Sequence, residues 1–173
     1  MSKIFCISDT HFNHSNVIKY SNRPYKDTEE MNRSIIENWN KVVSNDDTVI
    51  FQGDFCLGPK EETYRFASQL NGHKVIILGN HDRSKNFYLQ NGFQDAMKRF
   101  IYPKEVSGFK YNIIFTHQPY MGLPEDYVNI HGHIHDKTLD ENMFDPIRYF
   151  NISVENINYT PIEFNEIINI KNW

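Results

Sequence analysis

Residues 75–82 read Val75-Ile76-Ile77-Leu78-Gly79-Asn80-His81-Asp82, an apolar run followed at once by a glycine, an amide, an imidazole and a carboxylate. The apolar run predicts a strand from Lys74 to Leu78 that is buried on both faces, as in a parallel sheet. A polar residue directly after such a strand lies at its carboxyl end, where α/β sheets open their ligand crevices. The segment therefore predicts a buried parallel strand with a binding site at its end.

Four further polar clusters lie along the chain, and three of them also follow apolar runs. They are Asp9 and His11 after residues 4–7, Asp54 after residues 49–51, His117 after residues 113–115, and the pair His133 and His135. Strands that lie side by side would gather these side chains at one rim. Carboxylate, amide and imidazole ligands suit divalent ions of the Mn, Fe, Ni or Zn type, and a thiolate site is not indicated. The sequence therefore predicts a metal site.

The segments between these clusters alternate between predicted strands and helices. Asp27 and Glu30 form a capping box for a helix that runs to Val43, Pro59 opens a second helix, and a short helix is expected at residues 87–90. Residues 11–26 are expected to form a loop. Later strands are predicted at residues 95–102, 111–116, 127–130 and 148–154, with a hairpin-like turn at 106–109 and a closing helix at 161–170.

This order of elements predicts an α/β (α+β) fold, in which parallel βαβ units give way to antiparallel strands. We expect two packed mixed sheets flanked by helices, in a single domain over residues 1–173. A chain of 173 residues with 39% hydrophobic content fits one domain with a substantial core. No apolar stretch is long enough to span a membrane. Cys6 and Cys56 lie far apart, which favours reduced thiols in a cytoplasmic protein.

The net charge of the chain indicates which class of ligand it can bind. The net charge is −4 with neutral histidines, and two divalent ions would bring it to about zero, because −4 + 4 = 0. A long nucleic acid usually requires a basic stripe, so we do not expect one as a ligand, and Lys98 and Arg99 are expected to be solvated surface residues. A small anionic substrate fits better. The sequence leaves the oligomeric state open.

The ordered set of motifs D-x-H, G-D, G-N-H-D, H and G-H-x-H resembles the calcineurin-like metallophosphoesterase superfamily. The match spans residues 9 to 135, and the start of the chain further resembles small, uncapped bacterial and phage members. The resemblance implies a four-layer sandwich, two sheets flanked by helices, with a dinuclear centre at the strand ends. It implies one ion held by Asp9, His11, Asp54 and His135. The second ion would be held by Asp54, Asn80, His117 and His133, with Asp54 bridging both.

The resemblance also implies an activity, the hydrolysis of a phosphoester by a metal-bridging hydroxide. His81 would stand near the scissile phosphate and could protonate the leaving group, and Asp82 would orient its ring. Mn²⁺ is the ion we expect, with Fe, Ni or Zn as alternatives. Candidate substrate contacts are His14, Arg23 and Arg83, which lie close to predicted ligands in the sequence.

Two departures from relatives narrow the function. The residues after Asp54 lack the acidic and arginine residues of protein Ser/Thr phosphatases, and no cap or DNA-binding insertion separates the motifs. These departures disfavour a phosphoprotein phosphatase and a nuclease. Because a proton donor such as His81 matters most for poor, alkoxide leaving groups, a phosphodiester or nucleotide-like substrate is slightly favoured, and a phosphomonoesterase of small metabolites is the alternative. A catalytically silent, protein-binding scaffold is a third hypothesis, disfavoured because all the motif residues are present.

Overall fold

The structure, a computed structural model that describes residues 2–173, contains two mixed β-sheets with helices packed against them. In chain order its strands are β1 (Ile4–Ile7), β2 (Thr48–Phe51), β3 (His73–Ile77), β4 (Asp95–Met97), β5 (Arg99–Tyr102), β6 (Asn112–Thr116), β7 (Tyr127–His131), β8 (Tyr149–Asn151) and β9 (Ile162–Glu163). The first sheet has the order β4-β3-β2-β1-β9, and the second has the order β5-β6-β7-β8. The predicted pair of mixed sheets with helices is confirmed.

The helices are α1 (Ser15–Tyr20), α2 (Thr28–Val42), α3 (Lys60–Ala67), α4 (Lys85–Leu89), α5 (Lys104–Ser107) and α6 (Phe164–Lys171), and 3-10 turns lie at Pro146–Arg148 and Val154–Asn156. Asp27 caps α2 as predicted, because its side chain accepts a hydrogen bond of 2.8 Å from the backbone N of Glu30. The structure adds α1 to the segment expected to be a loop. It also divides the expected closing helix into β9 and α6.

The first sheet is buried on both faces. Phe5, Val49 and Ile76 face α2 and α3, where Trp39 and Phe66 are fully buried. On the other face Cys6, Ile50 and Ile77 pack against residues of β6 and β7 and against α6. The strands β1, β2, β3 and β4 run parallel, as the continuous apolar runs predict. The packing of sheet on sheet therefore holds the ends of β1, β2 and β6 close together.

The second sheet differs from the predicted antiparallel arrangement. Strand β5 is antiparallel to β6, but β6 is parallel to β7 and β7 is parallel to β8. Parallel neighbours need long crossover connections, which segments 117–126 and 132–148 provide. The prediction of antiparallel strands for this half was therefore wrong for two of the three strand pairs.

The predicted strand at residues 95–102 is divided between the two sheets. Residues 95–97 form β4 at the edge of the first sheet, and residues 99–102 form β5 at the edge of the second, with Lys98 between them. The connection from β5 to β6 contains α5, which ends at Gly108 with a left-handed φ of 73°. A hairpin-like pairing of β5 with β6 is present, with a helical turn in the connection.

Two further expectations concern the chain as a whole. The structure describes Cys6 and Cys56 as free thiols. Within residues 2–173, no helix combines the length and the apolar character needed to cross a membrane.

Candidate metal centre

The structure brings the predicted ligands together at the ends of four strands. Six of them form two groups in which potential ligand atoms lie within 4.8 Å of one another: Asp9, His11 and His135 in the first group, and Asp54, His117 and His133 in the second. The chain supplies them just after β1, β2, β6 and β7. The rim predicted from the apolar runs is therefore where these side chains converge.

Asn80 lies next to the second group. Its Oδ1 is 2.9 Å from Nε2 of His117. The residue follows β3 by way of Leu78 and Gly79, so the third parallel strand also contributes to the rim. The four residues predicted to hold the second ion are therefore neighbours in the structure.

Asp54 lies between the two groups. Its Oδ2 is 3.6 Å from Nε2 of His11 in the first group and 3.5 Å from Nε2 of His117 in the second. Its Oδ1 accepts a hydrogen bond of 3.0 Å from the backbone N of His81, which fixes the carboxylate plane. One carboxylate oxygen thus faces ligand atoms of both groups, as a bridging ligand requires.

The hydrogen bonding of His117 decides which of its nitrogens can bind a metal. Nδ1 lies 2.8 Å from the carbonyl oxygen of Gln52, which can only accept, so in the neutral ring Nδ1 carries the proton and Nε2 carries the lone pair. That lone pair faces Oδ1 of Asn80 and Oδ2 of Asp54. In the neutral ring these three atoms are all acceptors, and a cation among them would be attracted by each.

Two orphaned atoms mark the first group. Asp9 Oδ1 and His11 Nε2 are buried, have no hydrogen-bond partner, and lie 3.9 Å apart. Asp9 Oδ2, in contrast, accepts from the backbone N of His133 at 2.8 Å. Buried polar atoms almost always have a hydrogen-bond partner. A cation bound between these two atoms would accept a lone pair from each. The residues present therefore fit a divalent metal ion.

Burial keeps two imidazoles of the site, those of His11 and His133, in the neutral form that binds metals. It lowers the pKa of His11 to about 2 and, together with the charge of His117, lowers the pKa of His133. Both rings are therefore neutral at physiological pH and can offer a lone pair. Burial also raises the pKa of Asp9, although the charges of His117 and His135 oppose this shift. A cation at the site would favour the carboxylate form.

The backbone at the ligands is unusual. Asp9, His11, Asp54, His133 and His135 all have a left-handed φ, between 47° and 71°. Residues other than glycine adopt this conformation uncommonly, and such strained residues concentrate at functional sites. The left-handed turns after the strands therefore direct the five side chains toward one another at a cost in backbone energy.

Two glycines allow the loops to approach the ligands closely. A Cβ at Gly79 would meet Oδ1 of Asp54, and a Cβ at Gly132 would meet Oδ2 of Asp9. In the motifs Gly79-Asn80 and Gly132-His133, the glycine thus provides room for a carboxylate from a neighbouring strand. Any side chain at either position would displace a predicted ligand.

Glu155 is a site residue that sequence reasoning missed. Its Oε1 lies 3.0 Å from Nδ1 of His135 and 2.8 Å from the guanidinium of Arg23. Burial alone would lower the pKa of His135, but the hydrogen bond with Glu155 and the charges of Asp9 and Glu155 raise it above its usual value. Since Nδ1 of His135 is engaged, Nε2 is the atom free to bind a metal. No short motif surrounds Glu155, so only its position in the fold reveals it.

Arg23 has a bracing role instead of the predicted contact with substrate. Its side chain is fully buried and donates to the backbone oxygens of Asp9 and Thr10, at 2.7 and 2.9 Å, as well as to Glu155. Its donors are thus directed at the loop that carries Asp9 and His11. Arg23 therefore stabilises the strained loop and does not face the site's open side.

The structure also gives Asp82 a role different from the predicted one. Its carboxylate accepts hydrogen bonds from the backbone N of Asp54, Phe55 and Gly79 and from the hydroxyl of Tyr88. These bonds join the loop after β2 to the loop after β3. Asp82 therefore holds the Asp54 and Asn80 loops in register, and it does not orient the ring of His81.

The remaining predicted residues lie around two depressions beside the predicted metal ligands. His81 and His14 line the first together with His11, and the ring centroids of His81 and His11 are 5.9 Å apart. Arg83 lines the second, and its guanidinium donates to the carbonyl oxygen of Gly58. Asn80 lines both depressions. The predicted contacts His14 and Arg83 therefore line different depressions.

Comparison with known proteins identifies the class to which this fold and site belong. The sequence matches the model of the calcineurin-like phosphoesterase family over residues 2–170. The chain therefore belongs to the calcineurin-like phosphoesterases, a family of hydrolases that use divalent metals, as the resemblance of its motifs indicates.

Two proteins and one solved structure are similar to this chain over most of its length. The chain is 40% identical to an uncharacterized protein of Methanocaldococcus jannaschii, in an alignment that covers 98% of this chain and 92% of the relative. It is 25% identical to the gene 66 protein of Mycobacterium phage D29, over 84% of this chain and 85% of that protein. A crystal structure of a protein of unknown function from Aquifex aeolicus is similar, with a TM-score of 0.75 and 27% identity over 98% of this chain and all of that one.

Proposed function

We propose that this protein hydrolyses phosphodiester bonds with the help of two divalent metal ions, Mn²⁺ by preference. Asp9, His11, Asp54 and His135 would hold one ion, and Asp54, Asn80, His117 and His133 the other. When bound, such a pair of ions activates a water molecule and neutralises charge on the phosphoryl oxygens. The family, with its metal-dependent hydrolysis of phosphoesters, supports the general reaction; the phosphodiester is our more specific proposal.

The observation that carries the proposal is the position of Asp54 Oδ2, 3.6 Å from a ligand atom of the first group and 3.5 Å from one of the second. A single oxygen that can serve both groups supports a dinuclear centre instead of two separate sites. The buried, orphaned lone pairs of Asp9 and His11 provide independent support for a cation in the first group.

We assign protonation of the leaving group to His81. Its backbone N is anchored to Asp54, whereas its side chain is exposed and lines the first depression beside His11. An imidazole in this position can donate a proton to a departing alkoxide, which is a poor leaving group without one. A second depression, which Asn80 also lines, favours a diester, because each of the two substituents then has a place.

A comparison of two chromogenic substrates tests the proposal. We expect Mn²⁺-loaded protein to hydrolyse bis(4-nitrophenyl) phosphate with a higher kcat/KM than 4-nitrophenyl phosphate. Asp54→Asn should lose both metal content and turnover, since both ions depend on this carboxylate. Asp46→Asn is the matched control, because Asp46 is an exposed carboxylate in the turn before β2 and should behave as the unchanged protein.

The outcomes separate the competing functions. Faster hydrolysis of the monoester would replace the proposal by a phosphomonoesterase. No hydrolysis of either ester by protein that holds two ions would favour a catalytically silent scaffold. An Asp54→Asn variant that keeps both ions and its rate would exclude the bridging role.

A further inference from the structure

The second depression has basic residues that the sequence alone indicated to be ordinary surface. Lys98 lies between β4 and β5, where the chain passes from one sheet to the other. Arg99 pairs with Thr116, the residue before His117, and Met97 accepts a hydrogen bond of 2.7 Å from the backbone N of Leu78, two residues before Asn80. The crossing between the sheets therefore places two cations beside the ends of the strands that carry Asn80 and His117.

These residues line one groove together with two metal ligands. The groove has a volume of about 720 Å³, and its walls include Asn80, His117, Arg83, Lys98 and Arg99. Lys98 and Arg99 are exposed, and neither they nor Arg83 form an ion pair within residues 2–173. The groove is thus continuous with the metal site and carries three unpaired positive charges in a protein of net charge −4.

The acidic residue that lines the groove already has hydrogen-bond partners. Asp82 is the acidic residue among those that line the groove, and its carboxylate accepts four hydrogen bonds from Asp54, Phe55, Gly79 and Tyr88. Within residues 2–173 the side chains of Lys98 and Arg99 form no hydrogen bond, so their donors are available for a ligand. Arg83 donates to the carbonyl oxygen of Gly58 and offers its remaining donors. Arginine and lysine donors of this kind form their strongest hydrogen bonds with phosphate and carboxylate oxygens.

The same groove has an ordered, partly apolar wall. Tyr120 and Met121 line it, and the backbone of Tyr120 is fixed at both polar atoms. Its N donates to Oδ1 of Asn129 at 2.9 Å, and its O accepts from the hydroxyl of Tyr149 at 2.7 Å. A flat or apolar unit such as a nucleoside can lie against this wall between the metal ligands and the cations.

We infer that the groove formed by Arg83, Lys98 and Arg99 binds a second phosphate group of the substrate. This inference rests on the proposed phosphodiesterase function and names its substrate class. The substrate is a small nucleotide-like phosphodiester in which the substituent retained on the scissile phosphate carries a further phosphate. The leaving group lies in the first depression with His81, and the retained nucleoside with its second phosphate lies in the basic groove.

A matched pair of substrates tests this assignment. One is the 4-nitrophenyl ester of thymidine 5′-phosphate, and the other is the same ester with an added 3′-phosphate. We expect the 3′-phosphate to raise kcat/KM by about tenfold, mainly through a lower KM, since charge-assisted hydrogen bonds to phosphate are strong. In the double variant Lys98→Ala/Arg99→Ala the ratio of the two kcat/KM values should fall to about one.

The control is Lys110→Ala, an equally exposed cation just before β6, at the end of that strand remote from His117. This variant should keep the preference for the 3′-phosphate. A ratio near one in the unchanged protein, or a double variant that keeps the preference, would overturn the inference. Circular dichroism shows whether the exposed substitutions leave the fold intact.

A binding measurement separates this inference from the proposed function. Calorimetric titration of the Mn²⁺-loaded protein should give about tenfold tighter binding of thymidine 3′,5′-bisphosphate than of thymidine 5′-phosphate. The difference should disappear in the double variant. If neither ester is hydrolysed but this binding preference is present, the phosphate subsite stands and the hydrolase proposal fails. If the esters are hydrolysed at equal rates and the two nucleotides bind equally, the subsite is excluded and the hydrolase proposal stands.

Discussion

Replacement of Glu155 by glutamine tests how the first group of metal ligands is held. The carboxylate lies 3.0 Å from Nδ1 of His135 and 2.8 Å from the buried guanidinium of Arg23, and 5% of its side chain is exposed. Burial would raise the pKa of Glu155, but the hydrogen bond with His135 and the charge of Arg23 lower it, so the residue is ionised at neutral pH. Glutamine keeps the size of the side chain and removes the charge.

We expect two consequences of Glu155→Gln. Loss of a carboxylate partner behind a metal-binding histidine typically weakens metal affinity by about 10–100-fold. This corresponds to about 1.4–2.8 kcal/mol, at about 1.4 kcal/mol per factor of ten. The free energy of unfolding of the metal-free protein should also fall, by about 3 kcal/mol, because Arg23 loses its counter-charge in a buried setting.

Calorimetric titration with Mn²⁺ and urea unfolding measure these two quantities separately. The control is Glu163→Gln, since Glu163 forms an exposed ion pair of 2.7 Å with Lys3, a type of pair that contributes about 0–1 kcal/mol. This control should leave metal affinity unchanged. A Glu155→Gln protein that is folded and binds Mn²⁺ with unchanged affinity would refute the role assigned to Glu155.

Three other predictions follow from the site and the fold. His81→Ala should keep its metal and lose about 10²–10⁴-fold in rate on an alkyl phosphodiester but much less on a nitrophenyl ester; equal losses on both esters would argue against a proton donor. Gly132→Ala should reduce metal content in elemental analysis, because its Cβ would meet Oδ2 of Asp9; unchanged content would argue against the close approach. Hydrogen bonds from the backbone of Lys3 and Ser44 lower the pKa of Asp47 in the folded protein. The ionised carboxylate therefore stabilises the fold at neutral pH, and this stabilisation is lost as the pH falls through the lowered pKa. The difference in Tm between the unchanged protein and Asp47→Asn should therefore shrink below about pH 4, and a constant difference would contradict this.

The elements predicted well from the sequence are those whose signals are local. The run before Gly79 is apolar at every position because both faces of β3 are covered, and the ligands follow the strands directly in the chain. The cap at Asp27 likewise depends on residues three positions apart. In such cases neighbouring residues contain all of the information, so the strand, the helix start and the rim of ligands can be predicted.

The parts that the sequence did not reveal depend on contacts between distant segments. Nothing in the local pattern around Lys98 shows that the chain leaves one sheet there and enters the other. The direction of β7 and β8 depends on where the crossovers pack, and periodicity is the same for parallel and antiparallel strands. Glu155 and Arg23 meet across 132 positions of sequence, so their ion pair beside His135 appears only in the folded chain.

The most direct test of a dinuclear centre is the number of metal ions bound per chain. The protein would be freed of metal, saturated with Mn²⁺, separated from unbound ions by gel filtration and analysed by elemental mass spectrometry. Two groups of potential ligands, with Asp54 Oδ2 within 3.6 Å of a ring nitrogen of each, predict a value close to two ions per chain. A value of one or less at saturation would contradict the dinuclear centre.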